Sequence, residues 1–342
     1  MKRNLILMFG IILGISMDTF AESELPLSAN EVLSRYSEMI SRLNRISARI
    51  KVKGYSSLEL NPPKSYLETD LSVCRDGNNL EFFGTGKSFD SNGTYVKSRI
   101  VCHLFKAGRH YLAAKWPVDG KPLMAQIDND NFERDLCLNL NAPDFGGALW
   151  SRVDGCACKS ISELLRDSGE HRLFESKEII NCLDFYVLSG STKYGTVTAW
   201  IASQKSYNAV KWTVKKGPND FYNEYRIKDK TLGDVNRIFE AVDFEKIGDT
   251  FVVSKGRITA TNTDAKGEDT LIYEYDVSEI ELNPDFQALD SFKLRIPDGT
   301  PVVITEHPGM RYVWKEGKAV PDVNGATFDE IDKTIDRLKQ QQ

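Results

Sequence analysis

The side chains able to do chemistry in this sequence are six cysteines, four histidines and a large, scattered population of carboxylates. Cys74, Cys102, Cys137, Cys156, Cys158 and Cys182 form an even set, which in an exported chain reads first as disulfides whose connectivity the sequence leaves open. The rival chemistry is a metal clamp at Cys156-Ala157-Cys158. Structural zinc asks for roughly two to four residues between thiolates and for a second pair of the same kind, and the sequence has no second pair. His103, His110, His171 and His307 each lack a neighbour at ligand or triad spacing.

Two stretches imitate ligand loops and fail on inspection. Gly84-Thr85-Gly86-Lys87-Ser88 ends like a phosphate-binding loop, yet Glu81 stands where its first glycine belongs, and the stretch falls among hairpins instead of at a strand-to-helix turn. Asp128-Asn129-Asp130-Asn131 opens like a calcium loop, but Phe132 and Glu133 occupy positions that need an oxygen ligand and a glycine. No Gly-x-Ser-x-Gly elbow and no His-Glu-x-x-His helix is present. The motifs therefore call for no cofactor, and a pair of scattered carboxylates is the one catalytic device left open.

The elements that would position any site begin behind an export signal. Lys2 and Arg3, the apolar run from Leu5 to Ile15, and Thr19-Phe20-Ala21 have the order of a secretory signal peptide, with cleavage expected after Ala21. The apolar run is shorter than the roughly 20 residues of a membrane-spanning helix, and no cysteine follows it to be acylated. A periplasmic or secreted location is expected. With 44 basic against 49 acidic residues the surface is of mixed sign, which argues against nucleic acid as a partner.

After the signal, Ser28 and Glu31 form a capping-box pattern, and Val32, Leu33, Tyr36, Met39, Ile40 and Leu43 recur at helical spacing. Near Ile46 the period changes to alternation, with Ala48, Ile50 and Val52 on one side and Arg49, Lys51 and Lys53 on the other. Asp76-Gly77, Asn92-Gly93 and Lys106-Ala107-Gly108 then divide a run of predicted strands into hairpins. The stretch 117–158 is less regular, and Ser160 with Glu163 caps a second short helix. Strands resume at 184–189, 197–203, 210–215, 223–228, 236–244, 251–261 and 271–282. This is a mainly β, antiparallel pattern without βαβ rhythm, and so long a meander must close or nearly close to hide its edges. At the C-terminus a hairpin across Lys315-Glu316-Gly317-Lys318 and an amphipathic helix beginning at Thr327 are expected.

Aromatic residues recur inside the alternating strands, among them Trp200, Trp212, Tyr225 and Tyr273, where they can fill a core or line an apolar cavity. The order of elements resembles that of LolA-like periplasmic lipoprotein carriers. The resemblance rests on the first helix running directly into Ala48-Arg49-Ile50-Lys51-Val52. It rests also on Val197-Thr198-Ala199-Trp200-Ile201-Ala202 followed by Ala209-Val210-Lys211-Trp212, and on Asn283-Pro284-Asp285-Phe286 followed by the stretch from Phe292 to Thr300. The aspartate usual in the family's paired-strand turn is absent, the chain is longer than a minimal carrier, and the family's functional arginine maps to no particular residue.

The resemblance implies an unclosed antiparallel β-barrel over 22–303, lidded by short helices, with 304–342 appended. Its apolar concavity would shelter the acyl chains of a lipoprotein or another lipid, with envelope membrane proteins as possible partners. The inward positions expected to contact such a ligand are Ile50, Val52, Trp200, Trp212 and Tyr273. Two other classes stand beside this one: a secreted hydrolase using the scattered carboxylates, and an envelope-assembly protein using its terminal helix as a docking arm.

Overall fold

The computed structural model describes residues 27–56, 65–90, 93–106, 109–115, 124–129, 149, 153, 156, 159–169, 172–174, 184–222, 225–226, 234–264, 267–294, 296–307 and 310–322. The expected signal segment, the helix expected from Thr327, Cys137, Cys158, Cys182 and His171 lie outside them. The first elements are α1 (Ala29–Arg42), β1 (Arg45–Ser56), β2 (Ser65–Asp76), β3 (Asn79–Phe89), β4 (Tyr95–Lys106), β5 (Arg109–Lys115) and β6 (Met124–Asn129). Next come α2 (Ile161–Asp167), β7 (Arg172–Phe174), β8 (Phe185–Thr192), β9 (Gly195–Ala202), β10 (Asn208–Lys216) and the short β11 (Phe221–Tyr222) and β12 (Tyr225–Arg226). The chain continues through β13 (Val235–Ile247), β14 (Thr250–Asp264), β15 (Gly267–Leu282), β16 (Pro301–Ile304), β17 (Tyr312–Lys315) and β18 (Lys318–Pro321).

Sixteen of these strands make one unclosed sheet in the order β18-β17-β16-β6-β5-β4-β3-β2-β1-β15-β14-β13-β10-β9-β8-β7. It is two antiparallel meanders spliced together where β1 pairs with β15, Ile50 opposite Val277 and Val52 opposite Tyr275. β11 and β12 form a separate two-stranded ribbon, so the strand expected at 223–228 does not extend the sheet. The irregular stretch 117–158 contributes β6, which pairs in parallel with β16. The hairpin expected near Lys315–Lys318 is present as β17 and β18, and it continues the same sheet.

One sheet face is apolar because the strands alternate. Ile50 and Val52 of β1, Leu71 and Val73 of β2, Leu80 and Phe82 of β3, and Tyr273, Tyr275 and Val277 of β15 are buried in one cluster. Strands β9, β10, β13 and β14 add Ala199, Trp212, Phe239 and Ile258 to it. Helices α1 and α2 cover this inner face through Val32, Leu33, Tyr36 and Met39 and through Ile161, Leu164 and Leu165, α1 lying on β8 and β10 and against α2. Both helices begin with complete capping boxes. Ser28 Oγ accepts from the Glu31 N–H at 3.3 Å, while Glu31 Oε2 accepts from the Ser28 hydroxyl at 2.6 Å and from the Ser28 N–H at 2.7 Å, and these two bonds to the carboxylate hold it below its usual range.

Two glycines mark how tightly the sheet is packed. A Cβ on Gly84 would sit 2.1 Å from the Asp70 carbonyl oxygen of the adjacent strand, which is why the glycines of the false phosphate loop belong to β3 and to no anion site. A Cβ on Gly256 would sit 2.9 Å from Phe239 Cε2, so the inner-face ring occupies the space that a side chain there would need.

The stretch from Phe292 to Thr300, expected as a closing strand, is irregular instead. Asn283, Asp290 and Phe292 have φ of 55°, 55° and 58°, which turns the chain out of the pleat, and Pro297 has no N–H to give a ladder. The segment crosses the outer face of the sheet as a strap. The Phe292 N–H donates to Glu81 Oε2 at 2.5 Å, Lys106 Nζ donates to the Phe292 carbonyl at 3.2 Å, and the Phe286 and Phe292 rings lie 5.1 Å apart. Beyond it a second core of Cys102, Ile127, Ile296, Val302, Tyr312 and Trp314 seals β4, β6, β16 and β17.

Candidate functional site

The sheet offers two candidate surfaces, one on each face. Four of the five residues expected to contact a ligand come together on the inner one. Ile50 is 0 %, Val52 and Trp212 1 %, and Tyr273 5 % exposed, all within the cluster beneath the helices. Cross-strand register explains the grouping. Trp212 is opposite Phe239, Phe239 opposite Ile258, and Ile258 opposite Tyr273, giving one continuous inward row across four strands. The Trp212 and Phe239 rings stack with centroids 5.6 Å apart and planes 19° apart.

Trp200 is not among them. It is opposite Lys211, while Ala199 is opposite Trp212, so the two tryptophans of neighbouring strands point to opposite faces. Trp200 packs instead with Phe185, Val187, Ala202 and Val210 on the outer side, where Lys211 Nζ lies 5.6 Å from its ring centre. The signal was available in the strand itself. Val197, Ala199 and Ile201 alternate with Thr196, Thr198 and Trp200, and the all-apolar set takes the inside. Tyr225 lies in the separate ribbon.

The lid over the inner face is fastened at two places on α1. At its C-terminal end Leu43 and Asn44 lead straight into β1. At its middle Arg35 Nη1 donates to Tyr207 Oη at 2.5 Å with its guanidinium 5.0 Å from that ring, and Tyr207 stacks on Tyr186 of β8. Deeper down, Lys216 is 2 % exposed and its Nζ donates to Cys156 Sγ at 3.1 Å and to the Phe221 carbonyl at 3.0 Å. The buried ammonium is thus bonded to protein acceptors.

The outer face holds a groove of 570 Å³ between β15, β1, β2 and β3 and under the strap. Its walls carry Asp70, Glu81, Glu279 and Glu281 with the single cation Arg49, and hydroxyls from Ser47, Ser72, Thr85 and Ser291. Arg49 donates to both oxygens of Asp70, at 2.7 and 2.9 Å, and approaches Glu279 at 3.6 Å. Hydrogen bonding from Arg49 pulls the Asp70 carboxyl below the ordinary carboxylate range, so Asp70 is held as an anion in a pair and is not poised as a proton donor. Sequence reasoning named Arg49, Glu81 and Thr85 for other reasons and proposed none of these residues as a site, because four separate strands and a loop supply them.

Among the described residues no group of three or more histidine, cysteine or carboxylate side chains is arranged to hold a metal ion. Cys74 accepts from Ser291 Oγ at 3.2 Å in the outer groove, Cys102 is in the second core, and Cys156 is under the helices. These three are not bonded to one another. His103 is buried in β4 opposite Phe82, and His307 Nδ1 lies 2.6 Å from Tyr312 Oη. No described helix is long and apolar enough to cross a membrane.

No family model and no curated protein matches the chain. Among solved structures it is similar to a LolA superfamily protein from Nitrosomonas europaea, at 14 % identity and a TM-score of 0.38, over 76 % of this chain and 95 % of that one. It is also similar to a DUF1329 family protein from Desulfovibrio piger, at 12 % identity and a TM-score of 0.32, over 75 % of this chain and 93 % of that one. A Pseudomonas aeruginosa MucA/MucB complex matches at 5 % identity and a TM-score of 0.18, over 74 % of this chain and 99 % of that one. Likenesses this loose carry no inference about function.

Proposed function

We propose that the protein is an exported carrier or sensor of acyl lipid whose binding surface is the inner face of the sheet, with α1 and α2 as a displaceable lid. The observation that carries this reading is the uninterrupted apolar row from Trp212 to Tyr273, together with Ile50 and Val52, on a sheet that does not close and is covered by two short helices. In the closed form the helices themselves fill the site.

Energetics make exchange between helix and ligand feasible. Docking α1 buries Val32, Leu33, Tyr36 and Met39, and at about 1.5–3 kcal/mol for each such side chain that is on the order of 6–12 kcal/mol. An acyl chain of about sixteen carbons gains on the order of 12 kcal/mol when fully buried, at about 0.8 kcal/mol per methylene. For α1 alone the two terms are of the same order, so a chain can take the place of that helix without unfolding the sheet, and release can follow when the helix returns. Binding of this kind needs no cofactor and no covalent step.

The test is extraction of the mature protein, purified from its source cells, with organic solvent, followed by mass spectrometry of the extract. Acyl lipid at about one molecule per chain, or saturable uptake of a sixteen-carbon acyl probe by the stripped protein, is the expected result. Neither lipid in the extract nor uptake of the probe would remove the carrier reading.

A further inference from the structure

The inner face contains a polar atom that its own packing leaves unused. Among the described residues Trp212 Nε1 finds no hydrogen-bond acceptor, although the residue is only 1 % exposed and its ring is stacked on Phe239. An indole nitrogen is a donor only, and a buried donor without an acceptor is a costly defect that native cores seldom retain. Packing alone does not require it. Phe239, in the adjacent position of the same row, fills its space with a plain ring. The N–H is carried by β10, a strand on which α1 rests, and so by a part of the face that lifting the lid would uncover.

The acceptor that fits is neutral. An anionic group would need a cation beside it, and the residues directly opposite Trp212 on the neighbouring strands are the uncharged Phe239 and Ala199. A neutral acceptor directly attached to a long apolar chain is the carbonyl of an acyl ester or amide.

We infer that Trp212 is the recognition residue of the acyl site, its indole N–H donating to the ester or amide carbonyl at the head of the chain, so that the protein selects acylated over ether-linked or carbonyl-free chains. This rests on the acyl-lipid reading and adds to it a chemical specificity.

The probes are 1-palmitoyl lysophosphatidylcholine and its 1-O-hexadecyl ether counterpart, which share headgroup and chain length and differ in the carbonyl. Wild-type protein is expected to bind the ester about 3- to 10-fold more tightly, the range of one net hydrogen bond. The assigned Trp212 indole N–H resonance should move downfield with the ester and not with the ether. Trp212→Phe should bind both probes with the weaker, ether-like affinity. Equal affinity of wild type for the two probes, or an ester preference that survives in Trp212→Phe, overturns the role of Trp212 while leaving acyl binding intact. Failure of both probes to bind overturns the acyl reading beneath it. If Trp212→Phe does not fold, the wild-type affinity ratio and the indole shift still decide.

Discussion

The two faces of the central strands differ more from each other than any two segments of the chain do. Across β1 to β3 and β15, Ile50, Val52, Leu71, Phe82 and Tyr275 make a buried apolar inner surface in the same cluster as the inward residues of both helices. One residue away along the same strands, Arg49, Asp70, Glu81 and Glu279 make a charged groove under a strap. The pleat alone separates them, because successive side chains leave a strand in opposite directions. A single sheet can therefore present a surface suited to hydrocarbon and a surface suited to polar ligands, with a few ångströms of backbone between.

That contrast is sharpest at two consecutive residues. Truncating Ile50, which is 0 % exposed, should cost about 2–5 kcal/mol of unfolding free energy, as large-to-small changes in a packed core do. Truncating Arg49, whose side chain is 46 % exposed in its pair with Asp70, should cost about 1 kcal/mol or less. Urea unfolding of Ile50→Ala and Arg49→Ala measures both, and equal losses would show that the inner face is not the core of the molecule.

A smaller effect is expected where the two faces share backbone. Gly84→Ala places a methyl group 2.1 Å from the Asp70 carbonyl oxygen, which forces β2 and β3 apart at a cost of about 1–3 kcal/mol. The groove lined by Gly84 and Asp70 should be disturbed with it. A lowered thermal midpoint checks this, and a midpoint equal to that of wild type would mean that the strands yield freely.

The smallest effect belongs to the Arg49–Asp70 pair, and it depends on pH. Because Arg49 lowers the Asp70 pKa in the folded protein, the stability it contributes is fully present above the unfolded carboxylate value of about 4 and is lost as the pH falls through the lower folded value. Wild type and Arg49→Ala should therefore differ in stability at neutral pH and converge in acid. Acid titration of both by circular dichroism tests the sign, and a gap that widened toward low pH would contradict it.

Local patterns were legible where local physics decides. The Ser28–Glu31 and Ser160–Glu163 capping boxes, the helical spacing from Val32 to Leu43 and the switch to alternation near Ile46 each became the element expected. The strand expected from Phe292 to Thr300 did not form, because positive φ at Phe292 and Gly299 and the missing N–H of Pro297 interrupt the ladder. Trp212 illustrates the limit within a strand. The alternation of β9 marks Trp200 as outward, but the bulge between Ala209 and Lys211, which sets Trp212 opposite Ala199, is a property of the pairing and not of β10 alone.

By itself, then, the sequence determined where the capped helices begin, which side of β1 is apolar, and that the chain is built for antiparallel pairing, since capping, periodicity and turn chemistry act over a few residues. Tertiary structure alone decided that β1 joins β15 and β6 joins β16, that Trp212, Phe239, Ile258 and Tyr273 form one row, and that four carboxylates gather in a groove. Those outcomes depend on strand register between segments far apart in the chain, where a slip of one residue exchanges the two faces.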